Sequence, residues 1–202
     1  MPQMKDILSR FIASARGSAA VEFAIVIPVL ILLFLASVDA GRAIGVYMKV
    51  RSAAYTLGTI TNICGDIQAS NGPCQTAITA AGIQQITSAA ATVLSPYSSS
   101  PLVATVSQLS INANGQATVS WSYSLNGTAR SQGASVSIPS TLASEFTTYN
   151  ATLSFPQYLI FGEISYTYTP IFTYFVTHAI TLSDSIYVAP RNATCIQYIN
   201  SC

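Results

Sequence analysis

From Phe23 to Val38 the chain carries no charge, and its residues are mostly Ile, Val, Leu, Phe and Ala. Extended back through Ser18–Val21, the run reaches the ~20 residues with which a helix spans ~30 Å of hydrocarbon. Beyond it the pattern becomes a stripe. Val46, Val50, Ala53, Leu57, Ile60 and Cys64 recur at intervals of 4, 3, 4, 3 and 4, which marks one face of a helix. One helix over 18–64 is therefore predicted, with a membrane span at about 18–40 and an extramembrane extension. The stripe serves packing on the chain's own domain or on other subunits, and both uses fit different parts of the helix. Pro28 lacks a backbone donor, which predicts a kink or local break. Gly41 and Gly45 have the small-xxx-small spacing that permits close helix approach.

The remainder predicts a small α+β domain. Gly65–Cys74 is rich in turn formers. A second helix is expected over about Gln75–Leu94, with Ile83, Ile86, Ala90 and Val93 on its apolar face. Ser95–Pro101 reads as a linker or exposed loop. Period-two alternation then predicts strands at Val103–Ile111 and Ala117–Leu125, joined by a turn at Asn112–Gly115. In the second of these, Ala117, Val119, Trp121, Tyr123 and Leu125 are expected to share one face over a core, with water on the other. Asn126–Gly133 is polar and turn-forming, and Pro139–Phe146 reads as a short helix. Leu159–Phe161 and Glu163–Thr169 form the next strand region, with Gly162 as a candidate bulge. His178–Val188 is the last strand. Asp184 falls on its apolar face beside Ile180, Leu182, Ile186 and Val188, so it must sit at a bulge or be hydrogen-bonded near an edge. The expected architecture is a long N-terminal transmembrane helix plus a second helix packed on an antiparallel sheet of about four strands. Three regions result: a short basic leader at 1–17, the helix at 18–64, and the domain at 65–202.

Charge adds orientation and removes a class of partner. Lys5, Arg10 and Arg16 precede the span against Asp6 alone, which favours a cytoplasmic N-terminus and an exported C-terminal domain. Charged residues make up 7% of the chain and the net charge is +1, too little for a nucleic-acid footprint. The four cysteines, Cys64, Cys74, Cys195 and Cys202, all follow the span, on the side where disulfides form. Local pairing, Cys64 with Cys74 across the turn-rich loop and Cys195 with Cys202 at the C-terminus, is one of three possible pairings. Free thiols and cross-pairing remain alternatives. Neither the cysteine spacing nor the single histidine suits zinc, and no other metal or cofactor is expected.

The titratable supply for catalysis is thin. After the span come Asp66, Glu145, Glu163, Asp184 and His178. No nucleophile elbow, zinc-protease motif or phosphate-binding glycine loop accompanies them. A Ser–His–Asp set using His178 and Asp184 is conceivable, but nothing favours it, and the protein is not expected to be an enzyme. The aromatic run Tyr166, Tyr168, Phe172, Tyr174 and Phe175 reads as sheet core and loop cover, or else as an adhesive patch. Asn126, Asn150 and Asn192 head Asn-x-Ser/Thr sequences that matter only in a glycosylating export pathway.

Glu22, at the start of the apolar run, needs explaining. A carboxylate costs ~2.5–3.5 kcal/mol at membrane centre and less near an interface. It is either an interfacial glutamate or one with a cationic partner. Cleavage after Gly17, where the missing side chain exposes the backbone to a protease, would make Ser18 the new N-terminus. Its α-amino group would then be a cation able to pair with Glu22 of a neighbouring helix.

This arrangement of basic leader, Gly17, Ser18, Glu22 and Phe23 resembles the class III (type IV) prepilin signal. Gly17–Ala24, Pro28, the Leu/Ile run and Asp39-Ala40-Gly41-Arg42 look like the N-terminal motif of TadE-like (TadE/TadG-type) pseudopilins of the tight-adherence pilus system. Ile164–Pro170 and Ile180–Val188 with Arg191 look like that family's closing strands, although Asp184 stands where a small residue is expected. The resemblance implies a pilin-like long helix on an antiparallel sheet. It implies a prepilin leader at 1–17, cut between Gly17 and Ser18 by a membrane prepilin peptidase, with Glu22 and Phe23 serving subunit assembly. Implied partners are that peptidase, other pilins or pseudopilins, the inner-membrane platform and the lipid bilayer. The implied location is the bacterial inner membrane, single-pass, with the domain in the periplasm or carried outside on a pilus. The competing reading is a signal-anchored or secreted binding module or enzyme, released by signal peptidase after Ala40.

Overall fold

A computed structural model describes residues 15–63, 77–148, 152, 156–172, 177–191, 194–199 and 201–202, with side chains from Ala20 onward. The chain falls into two compact units. One runs through Ala43 and includes Pro170–His178, and the other comprises Ile44–Thr169 and Ala179–Cys202.

Helix α1 covers Ala15–Asn62 and continues through Pro28. Its C-terminal part belongs to the larger unit, where Val46, Val50, Ala53 and Leu57 are fully buried. The predicted stripe is thus committed to the chain's own domain. Ile60 is only partly buried, and Cys64 lies outside the described residues. Buried Thr61 donates its hydroxyl to the Leu57 carbonyl at 2.7 Å, so a polar side chain enters the core satisfied. Gly45 faces Tyr97 of the same domain, since a Cβ there would meet the Tyr97 hydroxyl at 3.0 Å. That position is therefore taken by the domain and not by a second helix.

The larger unit holds a five-stranded antiparallel sheet in the order β4-β3-β2-β5-β6. The strands are β2 (Leu102–Ile111), β3 (Ala117–Leu125), β4 (Ser135–Val136), β5 (Gln157–Tyr168) and β6 (Ile180–Val188). A separate parallel pair joins β1 (Ala77–Ile78) to β7 (Gln197–Tyr198). Helix α2 (Ala80–Thr92) packs on β2 and β3. It starts later than the periodicity suggests because the Thr79 side chain caps it, accepting from the Gly82 N–H at 3.0 Å. The short helix α3 is Ser140–Thr148.

Helix α1 crosses β5 and β6 at a pair of glycines. A Cβ on Gly162 would meet Gly58 N at 3.4 Å and the Ala54 carbonyl oxygen at 3.5 Å, and one on Gly58 would meet Ile186 Cγ2 at 2.7 Å. Gly162 pairs regularly with Val106 on one side and Ile186 on the other. It is therefore no bulge, and its missing side chain lets the helix backbone come close.

The bulge lies elsewhere. Between β2 and β3 the register shifts as Gln108 pairs with Trp121 and Leu109 with Val119, leaving Ser120 as the extra residue. The shift turns the alternation over. Trp121 falls on the face of Gln108, while Ala117 and Val119 fall on the opposite face with Leu109 and Ile111. That opposite face is not left to water. Leu109, Ile111, Ala117, Val119, Leu159 and Phe161 form a second core, covered by Val136, Ile138, Leu142, Phe146 and Tyr187. The expectation that all five apolar residues of β3 share one face is thus corrected.

Gln108 and Trp121, side by side after the bulge, capture both backbone groups of Ile196. Gln108 Oε1 accepts from Ile196 N at 2.8 Å, and Trp121 Nε1 donates to Ile196 O at 2.7 Å. The Trp121 and Tyr198 rings lie 5.4 Å apart. Cys195 and Cys202 form a disulfide that closes this C-terminal lap. Cys74, like Cys64, lies outside the described residues.

Asp184 pairs in register with Ile164 on edge strand β6. Its Oδ1 accepts from Ser185 N at 2.9 Å, and its Oδ2 lies 4.0 Å from Arg51 Nε. Edge position and hydrogen bonding, without a bulge, accommodate the carboxylate.

Candidate functional site

Two regions qualify as sites, a cleft on the sheet and the apolar part of α1. The cleft, of about 520 Å³, is lined by residues that include Thr105, Thr128, Arg130, Glu163, Ser165 and Ser183. Arg130 and Glu163 spend their charges on each other, while Asp184, which also lines the cleft, lies 4.0 Å from Arg51. Arg130 Nε donates to Glu163 Oε2 at 3.0 Å and Nη2 to Oε1 at 2.6 Å, and the guanidinium stands 5.5 Å from the Phe161 ring centroid. The bond to Glu163 raises the Arg130 pKa above its already high ordinary value, against a smaller opposing effect of burial. The nearby hydroxyls also pair off, Thr105 with Ser124 at 2.8 Å and Ser107 with Ser122 at 2.9 Å. No nucleophile and base are aligned among the described residues that line the cleft. The Ser–His–Asp set finds no support either. His178 Nδ1 contacts the Thr177 hydroxyl at 2.6 Å, while Asp184 engages Ser185 and Arg51. No group of three His, Cys, Asp or Glu that could hold a metal occurs among the described residues.

The N-terminal part of α1 is different in kind. Gly17 and Ser18 lie near the start of the helix. Glu22 follows one turn later, beside Val21 and Phe23, which are 62% and 63% exposed. Residues from Ala20 to Ile31 are exposed on every side, and from Leu32 one face, Leu32, Leu35, Ala36 and Asp39, is partly buried. This helix is long and apolar enough to cross a membrane. At the end of the uncharged run, Asp39 reaches a segment far away in sequence. Its Oδ1 accepts from Ile171 N at 3.1 Å and its Oδ2 from Phe172 N at 2.9 Å.

A second exposed stripe continues along the domain-packed part of the helix. Ile44, Met48 and Tyr55 are 60%, 59% and 63% exposed. At 100° per residue they lie about 180° from Val46, Val50, Ala53 and Leu57. The buried stripe drew the sequence reading. The outer one carries its own signal in the spacing of Ile44, Met48, Arg51 and Tyr55.

Residues 17–57 match the family model described as TadE-like protein. Over this segment the chain is similar to TadE-like proteins. The match opens on Gly17, takes in Glu22, Phe23, Pro28 and Asp39, and closes on Leu57, the last residue of the buried stripe. The TadE-like segment thus contains both the exposed apolar helix and the face by which the helix seats on its domain. The strands Ile164–Pro170 and Ile180–Val188 lie outside the match. No curated protein and no solved structure matches the chain.

Proposed function

We propose that the protein is a minor pilin or pseudopilin that assembles or primes a tight-adherence pilus. The TadE-like segment supports a pilus-associated, pilin-like role of a structural kind in general terms. The finer reading is ours. A prepilin peptidase removes residues 1–17 by cutting between Gly17 and Ser18. The helix from Ser18 to Cys64 anchors the mature chain in the inner membrane or enters a fibre, and residues 65–202 stand in the periplasm or outside the cell. Other pilins and the inner-membrane platform are its partners.

One observation carries this reading. Within a single helix, the domain covers the stripe from Val46 to Leu57, while the residues from Val21 to Ile31 and the stripe Ile44, Met48 and Tyr55 keep their apolar side chains exposed. An exposed apolar surface of this extent calls for lipid or other helices as cover. Release after Ala40 would cut inside α1, one residue past Asp39, and would part that carboxylate's segment from the rest of the helix. This counts against the secreted-module reading.

Glu22 then pairs with the α-amino group of a neighbouring subunit's Ser18, two opposite charges that meet where water is scarce. Glu22→Gln keeps the shape and removes the charge. We expect processing at Gly17 to persist and incorporation into sheared pili, or pilus number where the protein primes assembly, to fall about tenfold, the effect of ~1.4 kcal/mol. Pili formed at normal yield by this variant would contradict the pairing.

A further inference from the structure

The β5–β6 connection carries an apolar pair at its start. Ile171 is 51% exposed, and Phe172 beside it is half-buried. Their two backbone N–H groups are both held by one carboxylate, that of Asp39. Asp39 comes directly after Val38, the last residue of the uncharged run. Charge-assisted bonds of this kind are about twice as strong as neutral ones, and they gain further where water is partly excluded. Satisfying two N–H groups matters most where the alternative is an unpaired donor near hydrocarbon.

We propose that Asp39 clips the start of the β5–β6 connection to the level at which α1 leaves the membrane, so that Ile171 and Phe172 seat in the headgroup–acyl boundary of the bilayer as a second membrane contact. The inference rests on reading α1 as a membrane span. With the N–H groups of residues 171 and 172 about 3 Å from the carboxylate, their side chains lie within about one helical turn of that exit level. The depth suits apolar and aromatic side chains, which sit at the interface while their backbone stays near polar groups. Arg42, exposed and three residues further on, carries a charge suited to phosphate headgroups at the same zone. The occupant is lipid, because Asp39 holds the pair at the end of the apolar run, whose last residue, Val38, is itself exposed. Asp39 is a positioning residue, one that makes the contact through others.

The test uses the full-length protein in phosphatidylcholine vesicles whose chains carry bromine at shallow or deep positions. The chain's one tryptophan, Trp121, is 4% exposed in the domain core, so wild-type fluorescence should be insensitive to either lipid. Phe172→Trp adds a reporter at the clipped position. Its added fluorescence is expected to fall about twofold with shallow bromines and little with deep ones, as for a group 5–10 Å into the interface. Introducing Asp39→Ala into that variant should remove most of the quenching. If the introduced tryptophan is quenched by aqueous acrylamide and untouched by brominated lipid, while the protein resists carbonate extraction, the proposal is overturned. Lipid quenching that survives Asp39→Ala, with the circular dichroism unchanged, would overturn the clip. Extraction of the protein by carbonate would instead refute the membrane-span reading on which the proposal stands.

Discussion

At the residue scale, burial sets how side chains are paired and how readily they ionise; the buried Asn62 Oδ1 has no hydrogen-bond partner among the described residues. Tyr166, Tyr187 and Tyr198 lie against apolar neighbours, and burial raises all three phenol pKa values above the ordinary 10.0. For Tyr187 the negative charge of Glu163 adds to the rise and Arg130 opposes it. A folded pKa above the unfolded one means that the native state holds the proton more tightly. The stabilising contribution is therefore fully present below about pH 10 and is lost as pH climbs through the folded values. The urea midpoint should not fall on account of these tyrosines between about pH 7 and 9, and it should drop above about pH 10. Phenolate absorbance in the near ultraviolet should show three tyrosines ionising late, together with unfolding. Ionisation of every tyrosine at its ordinary pKa in the folded protein would contradict this placement.

At the element scale, the helix–sheet crossing depends on Gly58. Alanine there would gain up to ~1 kcal/mol of helix propensity. Against that, its methyl would meet Ile186 Cγ2 at 2.7 Å and Val188 Cγ2 at 3.2 Å, and both are β-branched side chains with little room to turn. Overpacking of this kind costs about 1–3 kcal/mol, so Gly58→Ala should lower the unfolding free energy in detergent by about 1 kcal/mol, and more than Gly162→Ala, whose nearest contact is 3.4 Å. Equal stability of the two variants would mean that the crossing is looser than described. Elements of this kind were largely legible in the sequence. The stripe from Val46 to Leu57, the strand Ala117–Leu125 and the turn at Gly115 follow from local periods and turn chemistry. What stayed hidden depends on partners distant in the chain. Apolar residues continue to alternate with small polar ones through Ser120, so nothing local marks the bulge that turns Trp121 toward Gln108 and Ile196. Gly162 looks like a strand irregularity until the helix that needs its missing Cβ is in place. Asp39 reads as the polar end of an apolar run, and its bonds to residues 171 and 172 span more than 130 positions. The roles proposed for Gly17 and Glu22, by contrast, are read from residues that lie close together in the sequence.

At the scale of the whole molecule, one helix presents two kinds of surface. Its distal half carries two apolar stripes, one buried by the domain and one exposed, and its proximal half is apolar on all sides. The central claim, that the exposed half is a processed pilin-type anchor, is tested most directly by the N-terminus of the protein purified from cell membranes, read by mass spectrometry. The account predicts a chain that begins at Ser18. A chain beginning at Gly41, or one still carrying Met1, would contradict prepilin processing and with it the assembly role.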